Sequence, residues 1–257
     1  MTYPALLGAL LIGLVMGLLG AGGAILTVPI LHYLLGHSEK AAVAESLAIV
    51  GAIAAFGALR GIRAGNTELR IVLSFGLAGI AGAVIGSAAA RHVPGPVQLA
   101  LLALVMLAAA TLMVRQPPRG DAPPRPHPFP LLAAQGLGVG VLTGLLGVGG
   151  GFLIVPALVL LGGLPMKRAV PTSLAIIFLN TAGGFLTHLA NSLRGRGPDL
   201  NWAVILLFSA VGIAGSFLGA HLGARLNQRL LRTLFAAFLL LLAAYILWRE
   251  LPALLHL

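Results

Sequence analysis

Long apolar blocks, separated by short polar or basic interruptions, run the length of the chain. Four of them, Ala5–Leu35, Ala41–Leu59, Ile71–Ala90 and Val97–Val114, are followed after a break by four more, Leu131–Gly163, Ala169–Leu189, Trp202–Ala224 and Leu230–Trp248. In each set the last three lie near the ~20 residues that cross ~30 Å of hydrocarbon as a helix. The first of each set does not fit. As one helix the 31 residues of Ala5–Leu35 would run about 46 Å, too long for one crossing and too short for two. Each overlong block carries a glycine cluster in its middle, GLLGAGGAILTVP (Gly17–Pro29) and GLLGVGGGFLIVP (Gly144–Pro156). Glycine weakens a helix by about 1 kcal/mol per residue. The pattern therefore predicts a helix that enters, breaks at the glycines, and either turns back or continues displaced.

The two clusters are copies. They lie 127 positions apart and agree at nine of thirteen residues. At the same offset Lys40 meets Lys167 and ESLAI (Glu45–Ile49) meets TSLAI (Thr172–Ile176); GIAGAVIG (Gly79–Gly86) returns as GIAGSFLG (Gly212–Gly219) at an offset of 133. The chain thus reads as a first transmembrane repeat, 1–114, and a second, 131–257. Between them, 115–130 holds seven prolines in sixteen residues, which forbids a helix and favours an extended, solvated linker.

Composition identifies the solvent. With 59% hydrophobic and 9% charged residues, against roughly a quarter charged in a water-soluble domain, the chain is an all-α polytopic membrane protein for which the bilayer is a partner. The net charge of +10 is scattered between apolar blocks without aromatic platforms, so it reads as membrane-flanking charge, and no nucleic-acid partner is expected. There is no cysteine, which excludes disulfide and thiolate chemistry. The start, MTYPALLGAL, lacks a basic n-region, so a cleaved signal peptide is not expected. The placement expected is multi-pass in a bacterial inner membrane.

Charge counting separates two topologies. If each overlong block crosses once, the repeats are parallel and Lys and Arg divide seven against nine; if each returns to its own side, the repeats are inverted and the division is eleven against five. The inverted arrangement has the clearer positive-inside bias. It places the linker in the cytoplasm and both termini outside.

Broken backbone inside a membrane must lie in protein or line a wet cavity, since each unpaired N–H or C=O exposed to lipid costs several kcal/mol. Were the two glycine clusters to meet near a pseudo-twofold axis, their free N–H groups and the positive ends of the following half-helices would attract an anion. Gly20, Gly22 and Gly23 in the first repeat, and Gly147, Gly149, Gly150 and Gly151 in the second, are the candidate substrate-binding glycines. The blander alternative is close helix packing, and that reading is preferred for Gly79, Gly82, Gly86, Gly212, Gly215 and Gly219. Ser46, Thr172 and Ser173 follow the broken blocks and could hydrogen-bond an anion, or else bond back to their own helices. Asn180 is a further candidate donor, its alternative an interhelical bond.

Glu45 stands where the second repeat has Thr172, and an intramembrane carboxylate is expensive. It and His188 are candidate coupling groups, against the plainer readings of an interfacial carboxylate and a packed histidine; His32 is read in the plainer way. No residues have metal-ligand spacing, and neither glycine run is followed by the Lys-Ser/Thr of a phosphate loop, so no cofactor is expected.

The repeated glycine run, the proline after it and the Thr-Ser-Leu helix start in GLLGVGGGFLIVPALVLLGGLPMKRAVPTSLAI resemble the sulfite exporter TauE/SafE family of bacterial membrane transporters. RAGNTELR (Arg63–Arg70) is similar to the family's polar connector. The likeness spans nearly the whole chain. It departs at Ala24, where a third glycine is expected, and at Glu45, in place of Thr. The resemblance implies export or uptake of sulfur-containing anions such as sulfite, sulfonates or sulfoacetate, without a covalent cofactor. The leading expectation is a secondary transporter with a midplane site alternately exposed to each side. The alternatives are an anion channel and, further off, an intramembrane hydrolase using Ser173 with His188. Sequence leaves the oligomeric state open.

Overall fold

The computed structural model describes residues 3–90, 92–115, 128–146, 151–194 and 200–254. The described residues are helical, with no strand: α1 (Tyr3–Leu19), α2 (Gly23–Pro29, continued by a π-helical stretch Ile30–Leu34), α3 (Glu39–Arg63), α4 (Leu69–Ala90), α5 (Gly95–Arg115), α6 (Phe129–Leu146), α7 (Gly151–Leu160), α8 (Met166–Leu193), α9 (Trp202–Arg225) and α10 (Gln228–Leu254). Seven of these, α3 to α6 and α8 to α10, are long and apolar enough to cross a membrane. The chain is an all-helical, multi-pass membrane protein. Most of the proline-rich linker, and Gly147, Gly149 and Gly150, lie outside the described residues.

The first overlong block breaks at its glycines and turns back. α1 ends at Leu19, and Gly20 follows at φ 86°, a left-handed conformation costly to any residue with a Cβ. Its N–H donates to the Met16 carbonyl at 2.8 Å, closing the helix end. The chain then returns along α1: Gly23 lies against Ile12 and Met16, and Gly8 against Ile30. Positions fall along α1 as they rise along α2, so the two form an antiparallel hairpin. Pro29 supplies no N–H inside this helix, and the ladder widens into the π-helical stretch directly after it.

The chain forms two compact units: Met1–Leu69 with Lys167–Leu226, and Arg70–Met166 with Asn227–Leu257. Each unit draws on both sequence repeats.

The first unit contains α1, α2 and α3 from one repeat and α8 and α9 from the other. Parallel passage joins α1 to α9, because Gly13 meets Gly212, Gly17 meets Ser216 and Gly219 meets Leu14 through backbone atoms. α3 also runs parallel to α9, with Ile53 beside Gly212 and Phe56 and Arg60 beside Phe217. α3 and α8 run the other way: Leu47 meets Gly184, Gly51 meets Thr181, Gly57 meets Leu174 and Gly61 meets Pro171. These two helices are counterparts in the repeat, and they cross antiparallel. The core holds Ile12, Met16, Leu31, Ile49, Ile53 and Phe208, all fully buried. Following these directions, Arg60, Arg63, Lys167, Arg168 and Arg225 gather at one end of the unit, while Lys40 and Arg194 lie at the other.

The second unit contains α4, α5, α6, α7 and α10. α4 and α6 pack in parallel, Gly82 against Leu137 and Val141, Gly86 against Val141 and Leu145, Gly140 against Gly79. This matches the α1–α9 pair, since α6 is the repeat counterpart of α1 and α4 of α9. The six glycines read from sequence as packing residues hold this role at both helix pairs. α5 packs on α10 and α7. α7, about 15 Å long, is buried from Gly151 to Val159 and, with Met106, Met113 and Phe235, forms the core. Exposed Leu73, Leu77, Val84 and Leu241 give this unit its lipid-compatible face.

Candidate functional site

Of the residues singled out from sequence, Gly20, Gly22, Gly23, Glu45, Ser46, Thr172, Ser173, Asn180 and His188 all belong to the first unit, and Gly151 starts α7 in the second. Within the first unit the polar groups sort along the α3–α8 crossing.

At the crossing's centre, Gly51 leaves room for Thr181: a Cβ at position 51 would stand 3.1 Å from Thr181 Oγ1. That hydroxyl donates to the Ile177 carbonyl at 2.8 Å. Beside it on α8, Asn180 Oδ1 is buried and has no hydrogen-bond partner. A buried amide oxygen without a partner forfeits about 1–3 kcal/mol, so Asn180 on α8 is a polar group still able to gain from a ligand or an ordered water, as is Thr67, whose unpartnered Oγ1 lies beside Gly61 and Pro171. Gly51 and Thr181 escaped the reading of the sequence, because a single small residue in an apolar helix has no signature without its neighbour.

The serine hydroxyls are committed. Ser46 Oγ donates to the Val43 carbonyl and Ser173 Oγ to the Val170 carbonyl, each at 2.7 Å. A hydroxyl has one hydrogen to give. Both serines can therefore meet an anion as donors only after that bond is broken, and the α3 and α8 positions behave alike.

Position 45 and its counterpart 172 share a geometry and differ in chemistry. Glu45 is 1% exposed; its Oε1 accepts the backbone N–H of Asn201 at 2.9 Å, and its Oε2 lies 2.5 Å from Nδ1 of His37. The His37 carbonyl in turn accepts Nδ1–H of His32 at 2.8 Å. At the other end of the crossing Thr172 Oγ1 accepts the backbone N–H of Glu68 at 3.1 Å, and Glu68 Oε1 takes Arg168 Nη1 at 2.6 Å. Asn201 and Glu68 are themselves counterparts, at the offset of 133. Each side chain thus anchors the residue just before a helix of the opposite repeat, α9 in one case and α4 in the other. His37 and Asn201 were missed from sequence, since their roles depend on segments 8 and 156 residues from Glu45. His188 is part-buried on α8.

The described residues hold no group of three or more His, Cys, Asp or Glu placed to bind a metal ion.

Comparison with known proteins agrees with a multi-pass membrane protein. The family model for the sulfite exporter TauE/SafE matches residues 5–246. A probable membrane transporter protein of Xylella fastidiosa is 32% identical over 250 residues, covering 93% of this chain and 92% of that protein. The probable membrane transporter protein YunE of Bacillus subtilis is 28% identical, covering 82% of this chain and 84% of its own. MJ0441 of Methanocaldococcus jannaschii, a probable membrane transporter protein, is 25% identical over 209 residues. No solved structure matches. A model matched across nearly the whole chain, and a relative above 30% identity over nearly all of both chains, place this membrane protein in the sulfite exporter TauE/SafE family.

Proposed function

We propose that the chain is a secondary transporter of small anions, sulfur-containing ones such as sulfite, sulfonates or sulfoacetate foremost, working by alternating access with inverted repeats. The observation that carries this reading is the antiparallel crossing of α3 and α8, counterpart helices of the two repeats, beside a first block folded as a re-entrant hairpin. Inverted repeats with half-membrane segments at the midplane are a common transporter design. The gathering of Arg60, Arg63, Lys167, Arg168 and Arg225 at one end of the first unit supports the same topology through the positive-inside bias, with that end cytoplasmic.

In this reading the anion binds near the α3–α8 crossing. Asn180, through its amide Nδ2–H, and Thr172, whose hydroxyl hydrogen is uncommitted, supply donors, and the turn after Gly20, whose own N–H is held by Met16, adds backbone N–H groups. Gly147, Gly149, Gly150 and Gly151 are the corresponding groups of the second repeat. Glu45, buried and joined to His37, is the coupling candidate better supported than His188, because a carboxylate and an imidazole in contact can exchange a proton. A hydrolase using Ser173 is disfavoured by the bond that ties its hydroxyl to Val170.

The test is counterflow in proteoliposomes against a panel of sulfite, sulfonates, thiosulfate and carboxylates. Saturable, anion-selective counterflow is expected; flux without saturation or counterflow points to a channel and refutes the proposal.

A further inference from the structure

The second unit holds a buried cation that the proposed transport cycle does not use. Arg232, one turn into α10, is 6% exposed, and its Nε has no hydrogen-bond partner. Four residues earlier on the same face, Gln228 Oε1 accepts the backbone N–H of Met166 at 2.8 Å. That bond fixes the amide's orientation, since only the oxygen can accept from an N–H. The Gln228 Nε2 group is therefore the free end, and it too is buried without a partner. Two buried donors, one of them on a group that stays charged at any physiological pH, sit one helical turn apart with nothing to receive their hydrogens.

A buried guanidinium needs an acceptor and a counter-charge. The unit's acidic residues are Asp121 and Glu250. Glu250 lies eighteen residues further along α10, about 27 Å away. Asp121 lies in the linker, outside the described residues. A water molecule would satisfy hydrogen bonds but not the charge. The donor set, a guanidinium edge beside an amide N–H, suits an oxygen-rich anion that accepts from both at once.

We propose that Arg232 and Gln228 bind an oxyanion: a phosphate, sulfate or sulfite group, carried either by a soluble ion or by a phospholipid headgroup at the start of α10. The site does not depend on the transport reading, and its test reads binding rather than flux.

Full-length protein, delipidated in neutral detergent, is melted with millimolar sulfate, sulfite or phosphate at constant ionic strength set by chloride. Millimolar concentrations and variant controls remove general salting effects. Native mass spectrometry of the same preparation counts retained phospholipid, and soluble short-chain phosphatidylglycerol is titrated in parallel. A soluble-ion site predicts a saturating rise in melting temperature with the oxyanions; a headgroup site predicts retained phospholipid and a rise with the short-chain lipid. In either case Arg232→Gln abolishes the effect, Arg232→Lys weakens apparent affinity about tenfold because the forked geometry is lost, and Gln228→Ala weakens it several-fold while the protein stays folded. Asp121→Asn leaves the response unchanged or strengthens it. The proposal is overturned if neither oxyanion nor lipid protects the wild type, if protection persists undiminished in Gln228→Ala and Arg232→Lys, or if protection emerges only in Asp121→Asn, which would make Asp121 the resident counter-charge.

Discussion

Replacing Gly17 with alanine should destabilise the first unit, and replacing Gly138 should not. Both glycines are in helices, α1 and α6, so both alanines gain the same ~1 kcal/mol of helix propensity and that term cancels in the comparison. What remains is the space each Cβ meets. At Gly138 there is nothing within 4 Å. At Gly17 the new atom collides with the Ser216 carbonyl and Cα of α9, backbone atoms that cannot rotate away. The helices must part by roughly an ångström, and a gap of that size forfeits a quarter to a half of each nearby dispersion contact. Overpacking of this kind costs about 1–3 kcal/mol. With about 2–4 °C per kcal/mol for a chain of this size, Gly17→Ala should melt roughly 2–12 °C below Gly138→Ala. Gly51→Ala should fall between them, because the nearest atom, Thr181 Oγ1 at 3.1 Å, belongs to a side chain that can give. Unfolding of the three variants in the same detergent, by SDS titration and by heat, measures the order. Equal stability of Gly17→Ala and Gly138→Ala would refute the claim that small residues set the α1–α9 distance.

The topology is open to chemical labelling, because the chain has no cysteine to remove first. Lys40→Cys and Lys167→Cys, at the starts of the antiparallel α3 and α8, should react with an impermeant maleimide from opposite faces of the membrane; reaction from one face would exclude inverted repeats. At position 45, Glu45→Ala leaves the Asn201 N–H and His37 without their acceptor and should cost about 1–3 kcal/mol. Glu45→Gln keeps an oxygen for Asn201 and should lose less than half as much. Chemical unfolding of both variants decides, and an alanine variant as stable as the glutamine one would show that the carboxylate anchors nothing.

The sequence revealed the fold's parts better than its assembly. Block lengths, the Gly17–Pro29 cluster and the offset of 127 predicted two related helical repeats with broken first segments, because hydrophobic length and glycine are local signals. The hairpin's return was favoured in the sequence only by the charge count, and the contact of Gly23 with Ile12 carries it directly. That α1 packs on α9, and α4 on α6, exchanges segments between the repeats, and no local pattern records which glycine face meets which. The site shows the same limit. Ser46 and Ser173 were legible as hydroxyls near the broken blocks, yet their hydrogens go to Val43 and Val170, a choice made by helix geometry that the residue type does not reveal. Gln228 and Arg232 carried no motif, and their interest comes from what is missing around them.

The difference between Glu45 and Thr172 is where the duplicated halves stop being equivalent. Both side chains accept one backbone N–H from the residue preceding a helix of the other repeat. A threonine makes that bond with a neutral oxygen, and its strength does not change with pH. A carboxylate makes it with a charged acceptor, and at position 45 the second carboxylate oxygen also lies against Nδ1 of His37. The partner of the acidic group is also asymmetric: a histidine of the same repeat beside Glu45, and at the other end an arginine that pairs with Glu68 across the repeats. If the two ends of the crossing open in turn, only one of them can be tied to proton uptake. In the proposed transport cycle this asymmetry lets a proton gradient act at one end of the crossing only, while the net direction of exchange is set by the anion and proton gradients themselves.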